Sequence, residues 1–400
     1  MKKIFKKIKN EKYLVFLIPI ALLFIPIILV IRNFIIIRFG LIHSDRIGHF
    51  ASNTALYLKE KEKERGQKKK IDLLYLAPPI SNKQLAKMWK RKLIVLPIFL
   101  IRPFWLIFRL FKIKGHLAGI SENQNRDINN LLYNSKKILN FTKKEILYCR
   151  NILKKNKIDK RRIILLICRD DNYLKKRFGE GYHYHNYRNV EIETYRKTIK
   201  YLLSKNYHVI RMGKYLKKNL ILKNDKYIEL FNSPFHSDLM EIYLASICKF
   251  CITSSTGYDE VPKIFDRPIL YTNVCPLSDI QANNKKFKII FQKYIEKKKN
   301  KILTLSQIVQ RNIHELYDSS EFKKHNIILK KNSSEEILQA TKEIIYDLDG
   351  IKYKKNDKLQ KKFWKTFRNE VALNSKTCQH NFFNAKISDF YLKKIEEIIK

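Results

Sequence analysis

The chain is 400 residues long, and 82 Lys and Arg against 37 Asp and Glu leave a formal net charge of +45. That length accommodates two or three domains, and the excess of cations favours anionic partners such as lipid headgroups and phosphates. The lysines are dispersed rather than gathered into an arm, which argues against a basic-tail binder. Six scattered cysteines with one unrepeated C-x-x-C (Cys248, Cys251) exclude a zinc-finger framework and suit reduced cytoplasmic thiols.

Residues 13–31, YLVFLIPIALLFIPIILVI, are apolar over the length a helix needs to cross a bilayer. Lys2, Lys3, Lys6, Lys7 and Lys9 precede them and favour a cytoplasmic N-terminus. Pro19 and Pro26 complicate a simple span, because a kink at either permits a re-entrant or interfacial anchor. Next, residues 34–42 read as a strand, HSDRIGH leads into an amphipathic helix to about Lys59, 61–70 is a solvated loop, and 71–78 is a second strand. This is a βαβ beginning. Residues 89–113 interleave cations with tryptophans and phenylalanines, which predicts contact with lipid headgroups; the alternative is a buried helix pair broken at Pro97 and Pro103. Residues 115–141 are polar and poorly periodic. Thr142 with Glu145 forms a capping box for a helix to about Lys155, and 155–162 reads as a connector.

Beyond it, strands at 162–168, 207–213, 226–231, 249–255 and 268–274 alternate with helices at 191–204, 237–248 and 257–265. That rhythm predicts a parallel sheet wrapped by helices, an α/β fold. Ser333 with Glu336 caps a further helix towards Leu348, and the helical tail 358–400 is expected to fold back onto the N-terminal domain.

Ligands of open parallel sheets sit beyond the carboxyl ends of the strands. Four polar loops lie there. The first strand is followed by Asp45, Arg46, Gly48 and His49; the strand 162–168 by Arg169 and Tyr173, then by YHYHNYRN with His185, Asn186 and Arg188. The strand 207–210 leads to Arg211, Met212 and Gly213, and the strand 249–253 to Ser254, Ser255, Thr256 and Gly257, with Glu260 in the helix that follows. The S-S-T-G turn offers N–H groups to an anion, Arg169 and Arg211 offer forked donors to a diphosphate, and Glu260 offers an acceptor to a ribose diol. His183 and His185 have no identifiable third ligand and no D-x-D stands at a strand end, so no metal is assigned. P-loop, G-x-G-x-x-G and G-x-S-x-G patterns are absent.

An apolar N-terminal helix, IRFGLIHSDRIGHFASNTALYL, NKQLAKMWKR, the run from CRDDNYL through YHYHNYRN to RMGK, CITSSTGYDEVP and SSEEILQATKEI occur in that order. The set resembles a family of bacterial glycosyltransferases of surface-polysaccharide biosynthesis, over most of residues 30–370. RIGHF and the YHNYRN-to-RMG stretch are its specific parts. The resemblance implies two Rossmann-like domains of the GT-B type: an anchor at 1–33, an acceptor-side domain at 34–156, a donor-binding domain at 157–350 and a tail at 351–400. It also implies sugar transfer from a nucleotide-sugar donor with no obligatory cofactor, on the cytoplasmic face of a bacterial inner membrane.

In the expected mechanism, Arg169, Arg211 and the Ser254–Gly257 turn stabilise the leaving diphosphate. Asp45 or His49 takes the proton of the acceptor hydroxyl; His49 has the alternative role of capping the first helix. His185, Asn186 and Arg188 orient the donor, with Tyr173, Met212, Gly213 and Glu260 also on its side and Arg46 and Gly48 on the acceptor side. Partners are then the nucleotide sugar, a glycan or lipid-linked acceptor and an anionic membrane surface, with no specific nucleic acid. Two rivals remain: a membrane-tethered polyanion binder, and a non-catalytic glycan-assembly partner.

Overall fold

The computed structural model describes residues 13–64, 69–119, 127–133, 138–179, 181, 183–378, 380 and 382–399. The lysines at 2–9 and parts of the 61–70 and 115–141 segments lie outside the described residues. The chain divides into two units, Met1–Asn125 with Lys137–Phe141, and Arg126–Lys136 with Thr142–Lys400.

Unit 1 contains helix α1 (Tyr13–Ile31), strand β1 (Ile36–Ile42), α2 (Ile47–Lys63), β2 (Lys70–Leu76), α3 (Lys83–Lys90) and α4 (Ile98–Leu110). β1 and β2 pair in parallel from Ile36↔Lys70 to Ile42↔Leu76, and single bridges, Phe39↔Leu117 and Leu74↔Val95, extend them on either side. A full Rossmann-like sheet was expected here, and among the described residues there are only these two strands. The apolar stretch that might have supplied a third instead turns at Pro97 into α4, which packs on both strands and on α1. Neither helix breaks at its prolines: α1 runs through Pro19 and Pro26, and α4 through Pro103. The expected break at Pro103 is therefore corrected.

Ionic side chains tie the pair of strands together. Register places Arg38 beside Asp72, and the guanidinium grips that carboxylate through Nε (2.6 Å) and Nη2 (3.0 Å). The Tyr57 hydroxyl donates to the same carboxylate from α2. Burial pushes the Asp72 carboxyl up, but hydrogen bonds from Arg38, Lys61 and Tyr57 outweigh it and hold the group below its usual range.

Unit 2 carries α5 (Lys143–Lys155), β3 (Ile163–Ile167), α6 (Asn172–Phe178), α7 (Arg196–Ser204), β4 (His208–Met212), β5 (Tyr227–Glu229) and α8 (Asp238–Ile247). Then follow β6 (Phe250–Thr253), α9 (Glu260–Ile264), β7 (Ile269–Val274), β8 (Phe287–Phe291), β9 (Lys293–Glu296), β10 (Lys301–Ile302), α10 (Leu305–Gln310) and α11 (Ser319–Lys324). β11 (Ile327–Lys330), α12 (Ser334–Asp349), α13 (Asp357–Phe367), β12 (Lys386–Ile387) and α14 (Asp389–Lys394) complete it. The main sheet runs β12-β8-β7-β6-β3-β4-β5, every pair parallel; β9, β10 and β11 form a small antiparallel sheet.

Its central strands are apolar end to end because helices cover both faces. Ile163–Ile167 is buried at every position. Lys288 of β8 reaches Glu343 and Asp347 of α12 over one face, while Asp259 and Glu260 at the start of α9 act on Tyr271 from the other. The two capping boxes form as expected, at Thr142 with Glu145 and at Ser333 with Glu336. Two boundaries move. α5 belongs to unit 2, and the tail adds β12 to the unit 2 sheet and packs α14 on α12 rather than joining the N-terminal unit.

The sheet order creates a switch. From β3 the chain steps to β4 and β5 on one side, then returns to place β6, β7 and β8 on the other. The loops after β3 and β6 therefore leave in opposite directions, opening the crevice at which doubly wound sheets hold ligands.

Candidate functional site

The loops at this switch are bolted together. The amide of Arg169 donates to Ser254 Oγ at 2.8 Å, and the Ser254 amide donates to the carbonyl of Ile167 at 3.0 Å. Ser255 follows with φ +55, in the left-handed region that a serine seldom adopts, so its carbonyl is re-aimed. Arg188 Nη2 donates to that carbonyl. Behind the turn, the Tyr195 hydroxyl bonds Thr272 Oγ1 at 2.6 Å, and Thr272 Oγ1 donates to the carbonyl of Thr253 at 2.9 Å. A fully buried tyrosine thus braces the ends of β6 and β7.

The charges here are unbalanced. Burial lowers the Arg169 guanidinium to about 10, and the neighbouring Arg188 guanidinium adds to the fall. Arg169 Nε is buried without a hydrogen-bond partner, and neither arginine makes an ion pair among the described residues. The nearest acids in sequence are engaged elsewhere. Asp170 accepts from the amides of Asn172 and Lys217, and Asp171 faces Lys175 and Lys217. Asp170 and Asp171 offset the fall only in part, and two crowded guanidiniums without a paired carboxylate form a site that an anion would relieve.

The loop carrying Arg188 is held from outside the sheet. The Tyr187 amide donates to Ser319 Oγ of α11 at 2.9 Å, its carbonyl accepts from Gln292 Nε2 at 3.0 Å, and the Val190 amide donates to the carbonyl of Arg169 at 3.0 Å. The His185 and Tyr184 rings have centroids 4.0 Å apart at a 42° tilt, and His185 lies within electrostatic reach of Asp318. Asn186 is exposed and accepts from Asn189. Tyr173 stacks on Tyr215, whose carbonyl accepts from Asn172 Nδ2 at 2.7 Å. Among the described residues, no group of three His, Cys, Asp or Glu is placed to hold a metal ion.

Several expected site residues belong to the fold instead. Arg211 is 2% exposed; strand register sets it beside Glu229 of β5, and Nη1 donates at 2.8 Å both to Glu229 Oε1 and to the carbonyl of Lys218. Its place with the diphosphate is corrected to a lock between β4 and β5. Met212 is buried in the core, and Gly213 serves its turn through φ +128. Glu260 is buried and paired with Lys263 at 2.8 Å, so it does not offer its carboxylate to a ribose. Thr256 is spent on a capping box: its amide donates to Asp259 at 2.8 Å and its hydroxyl accepts from Tyr258. The turn therefore has fewer free N–H groups than its sequence suggested, leaving Gly257 to open it.

Removing the Arg211 lock has a defined cost. Arg211→Leu would leave Glu229 buried without its cation, an effect of about 3–5 kcal/mol. Urea unfolding is expected to show that loss, the Arg211→Leu, Glu229→Leu double variant is expected to recover most of it, and nucleoside diphosphate binding is expected to persist in whatever remains folded.

In unit 1 the loop after β1 gathers a second polar group. Ser44 Oγ donates to the carbonyl of Ala77 at 2.6 Å and the Ser81 amide to the carbonyl of Ser44 at 2.7 Å, fixing the strand end. His43, Asp45, Arg46 and His49 surround it. His43 and His49 have ring centroids 6.2 Å apart, and Asn53 Nδ2 lies 3.4 Å from His49 Nδ1. Burial lowers the His49 imidazole below its ordinary value, helped by Arg46 and His43 and opposed by Asp45. Arg46 stands at the cap position of α2 and Gly48 is buried in its first turn, so His49 is not the cap.

Sequence reasoning passed over Tyr195, Gln292, and Glu191 with Lys331, which both act on the Cys168 thiol. Lys331 had a signal: it directly precedes the Asn332-Ser333 start of a capped helix. Tyr195 and Gln292 had none, since each is defined by a strand far away in sequence.

No family model matches the chain, and no curated protein does. Among solved structures, the E. coli ADP-heptose LPS heptosyltransferase II aligns at 15% identity with a TM-score of 0.35, over 64% of this chain and 90% of its own.

Proposed function

We propose that this protein is a membrane-associated glycosyltransferase, moving a sugar from a nucleotide-activated donor to a lipid-linked or growing glycan acceptor at the cytoplasmic face. One observation carries the reading: Arg169 and Arg188 stand together, un-neutralised, at the topological switch of a doubly wound sheet. A nucleoside diphosphate fits that feature, because its two phosphates match two forked cations.

The reaction needs little else from unit 2. As the acceptor oxygen bonds to the anomeric carbon, the bond from that carbon to the phosphate oxygen breaks, and the diphosphate leaves with the electron pair. Its growing charge falls on the two guanidiniums, Arg169 already desolvated and Arg188 held by the Ser255 carbonyl, so little reorganisation is required. Ser254 and the re-aimed Ser255 hold the arginines in place, and Gly257, Tyr173 and His185 belong to the neighbouring loops on the proposed donor side. The acceptor's proton goes to a base on unit 1, His49 or Asp45, with Arg46 beside them. His49 suits the task because its depressed pKa keeps it neutral at cytoplasmic pH.

Thermal melting of the full-length protein with nucleoside mono- and diphosphates, nucleotide sugars and DNA tests the reading. Diphosphates and their sugars at a hundredfold excess over Kd are expected to stabilise by about 2.7 kcal/mol. Equal effects of DNA, falling steeply with salt, would favour a polyanion binder. Binding without turnover of any donor would favour the non-catalytic partner.

A further inference from the structure

Helix α1 is apolar and long enough to cross a membrane by composition alone. Its surroundings say more. Its last turns are built into unit 1: Ile25 and Ile28 pack in one cluster with Phe39, Tyr75, Ile101 and Phe108, from β1, β2 and α4. Of the described residues, 13–24 lie outside that cluster, about 18 Å of helix at 1.5 Å per residue, with Leu14 and Ala21 buried along it. A hydrocarbon core is about 30 Å thick. That apolar length matches roughly one leaflet.

Little of α1 is covered among the described residues. Only Leu14, Ala21 and Ile28, seven residues apart, are buried along α1, a single narrow stripe. Phe16 is 73% exposed, Leu23 75%, Val30 69% and Phe34 78%. α4, packed on α1, adds Phe99, Leu100 and Leu110, with Phe111 just beyond it 63% exposed. Two helices of one folded unit thus present a joined apolar surface, far larger than scattered exposure explains.

The charge around this surface selects its partner. Residues 73–121 contain nine Lys and Arg and no Asp or Glu. Arg32, Lys90, Arg91, Lys92 and Lys112 are exposed, and the Arg109 guanidinium lies 4.8 Å over the Trp105 ring. Arg102, by contrast, is buried inside α4's packed face. Exposed cations beside interfacial aromatics match anionic headgroups above an inserted apolar face.

We propose that α1 and α4 together form one lipid-inserting surface, seating unit 1 on the anionic leaflet from one side, with α1 buried in that leaflet rather than crossing the bilayer. This inference does not depend on the transfer reaction.

The test uses the full chain reconstituted with vesicles, and tags at both termini. Protease added outside intact proteoliposomes is expected to remove both tags from the same molecules. Cleavage of only one tag, with the other released after detergent, would overturn the proposal by showing a span. Leu110→Glu with Phe111→Glu is expected to lower partition into phosphatidylglycerol vesicles at least tenfold, with an unchanged circular dichroism melt. Arg109→Glu with Lys112→Glu avoids any question of core folding. It should weaken binding to anionic vesicles several-fold while leaving weak binding to phosphatidylcholine unchanged. Unaltered partition in both variants removes α4 from the surface. A dimer that persists without lipid and is dissolved by the same substitutions would assign the surface to a second copy instead.

Discussion

Arg169→Met and Arg188→Met are each expected to weaken nucleoside diphosphate binding about 10- to 100-fold, since a hydrogen bond to a charged group contributes about 1.5–3 kcal/mol. Together they should abolish measurable binding. Arg169→Met is expected to leave the unliganded fold as stable or more stable, because it removes a desolvated cation facing another cation. This opposite movement separates the site from a structural ion pair, whose loss weakens the fold. Titration calorimetry gives the affinity and urea unfolding the stability. Arg169→Lys provides the finer comparison: it keeps the charge and loses the planar fork, so partial retention is expected. Wild-type affinity in the double methionine variant would remove both residues from any diphosphate site.

The proposed base, His49 or Asp45, gives the second large effect. Removing a general base typically costs about 10²–10⁴ in rate, and the Asp45→Asn, His49→Gln double variant is expected to lose that much in kcat with its fold intact. The pH profile decides between the two. Imidazole accepts a proton only when neutral, and burial depresses the His49 pKa below its ordinary value. If His49 is the base, the rate holds as pH falls to the ordinary histidine pKa and drops only below it. His49→Gln should erase that limb and Asp45→Asn should shift it lower still, because Asp45 is the neighbour that raises the His49 pKa. A limb that survives His49→Gln and disappears in Asp45→Asn assigns the role to the carboxylate. Unchanged kcat in the double variant discards both.

The opposed fates of the three strand-end arginines show how far sequence reaches. Arg169 and Arg188 stand in loops beyond the carboxyl end of β3, and Arg211 stands near the carboxyl end of β4. Register sets Arg211 beside Glu229, which is 18 residues further on and on another strand. Arg169 and Arg188 have no such neighbour and keep their charge for something else. Glu260 was nearer to legibility, for its partner Lys263 lies three residues along the same helix. The capping box from Thr256 to Asp259 had the same local signature as those at Thr142 and Ser333 and could have been read in the same way.

The local pattern of this chain was enough to determine strands β3 to β7 of unit 2, the parallel α/β class, two helix caps and the loops bearing the arginines. These depend on the spacing of apolar residues and on side chains bonding to backbone within a turn, interactions that span a few residues. Only the tertiary structure decided which arginines lack an acidic partner, that the described part of the first unit has a two-stranded sheet, that the tail adds an edge strand to the second sheet, and that α4 packs beside α1. Those outcomes depend on which strand lies beside which and on what covers each face, and contacts between residues distant in sequence settle both.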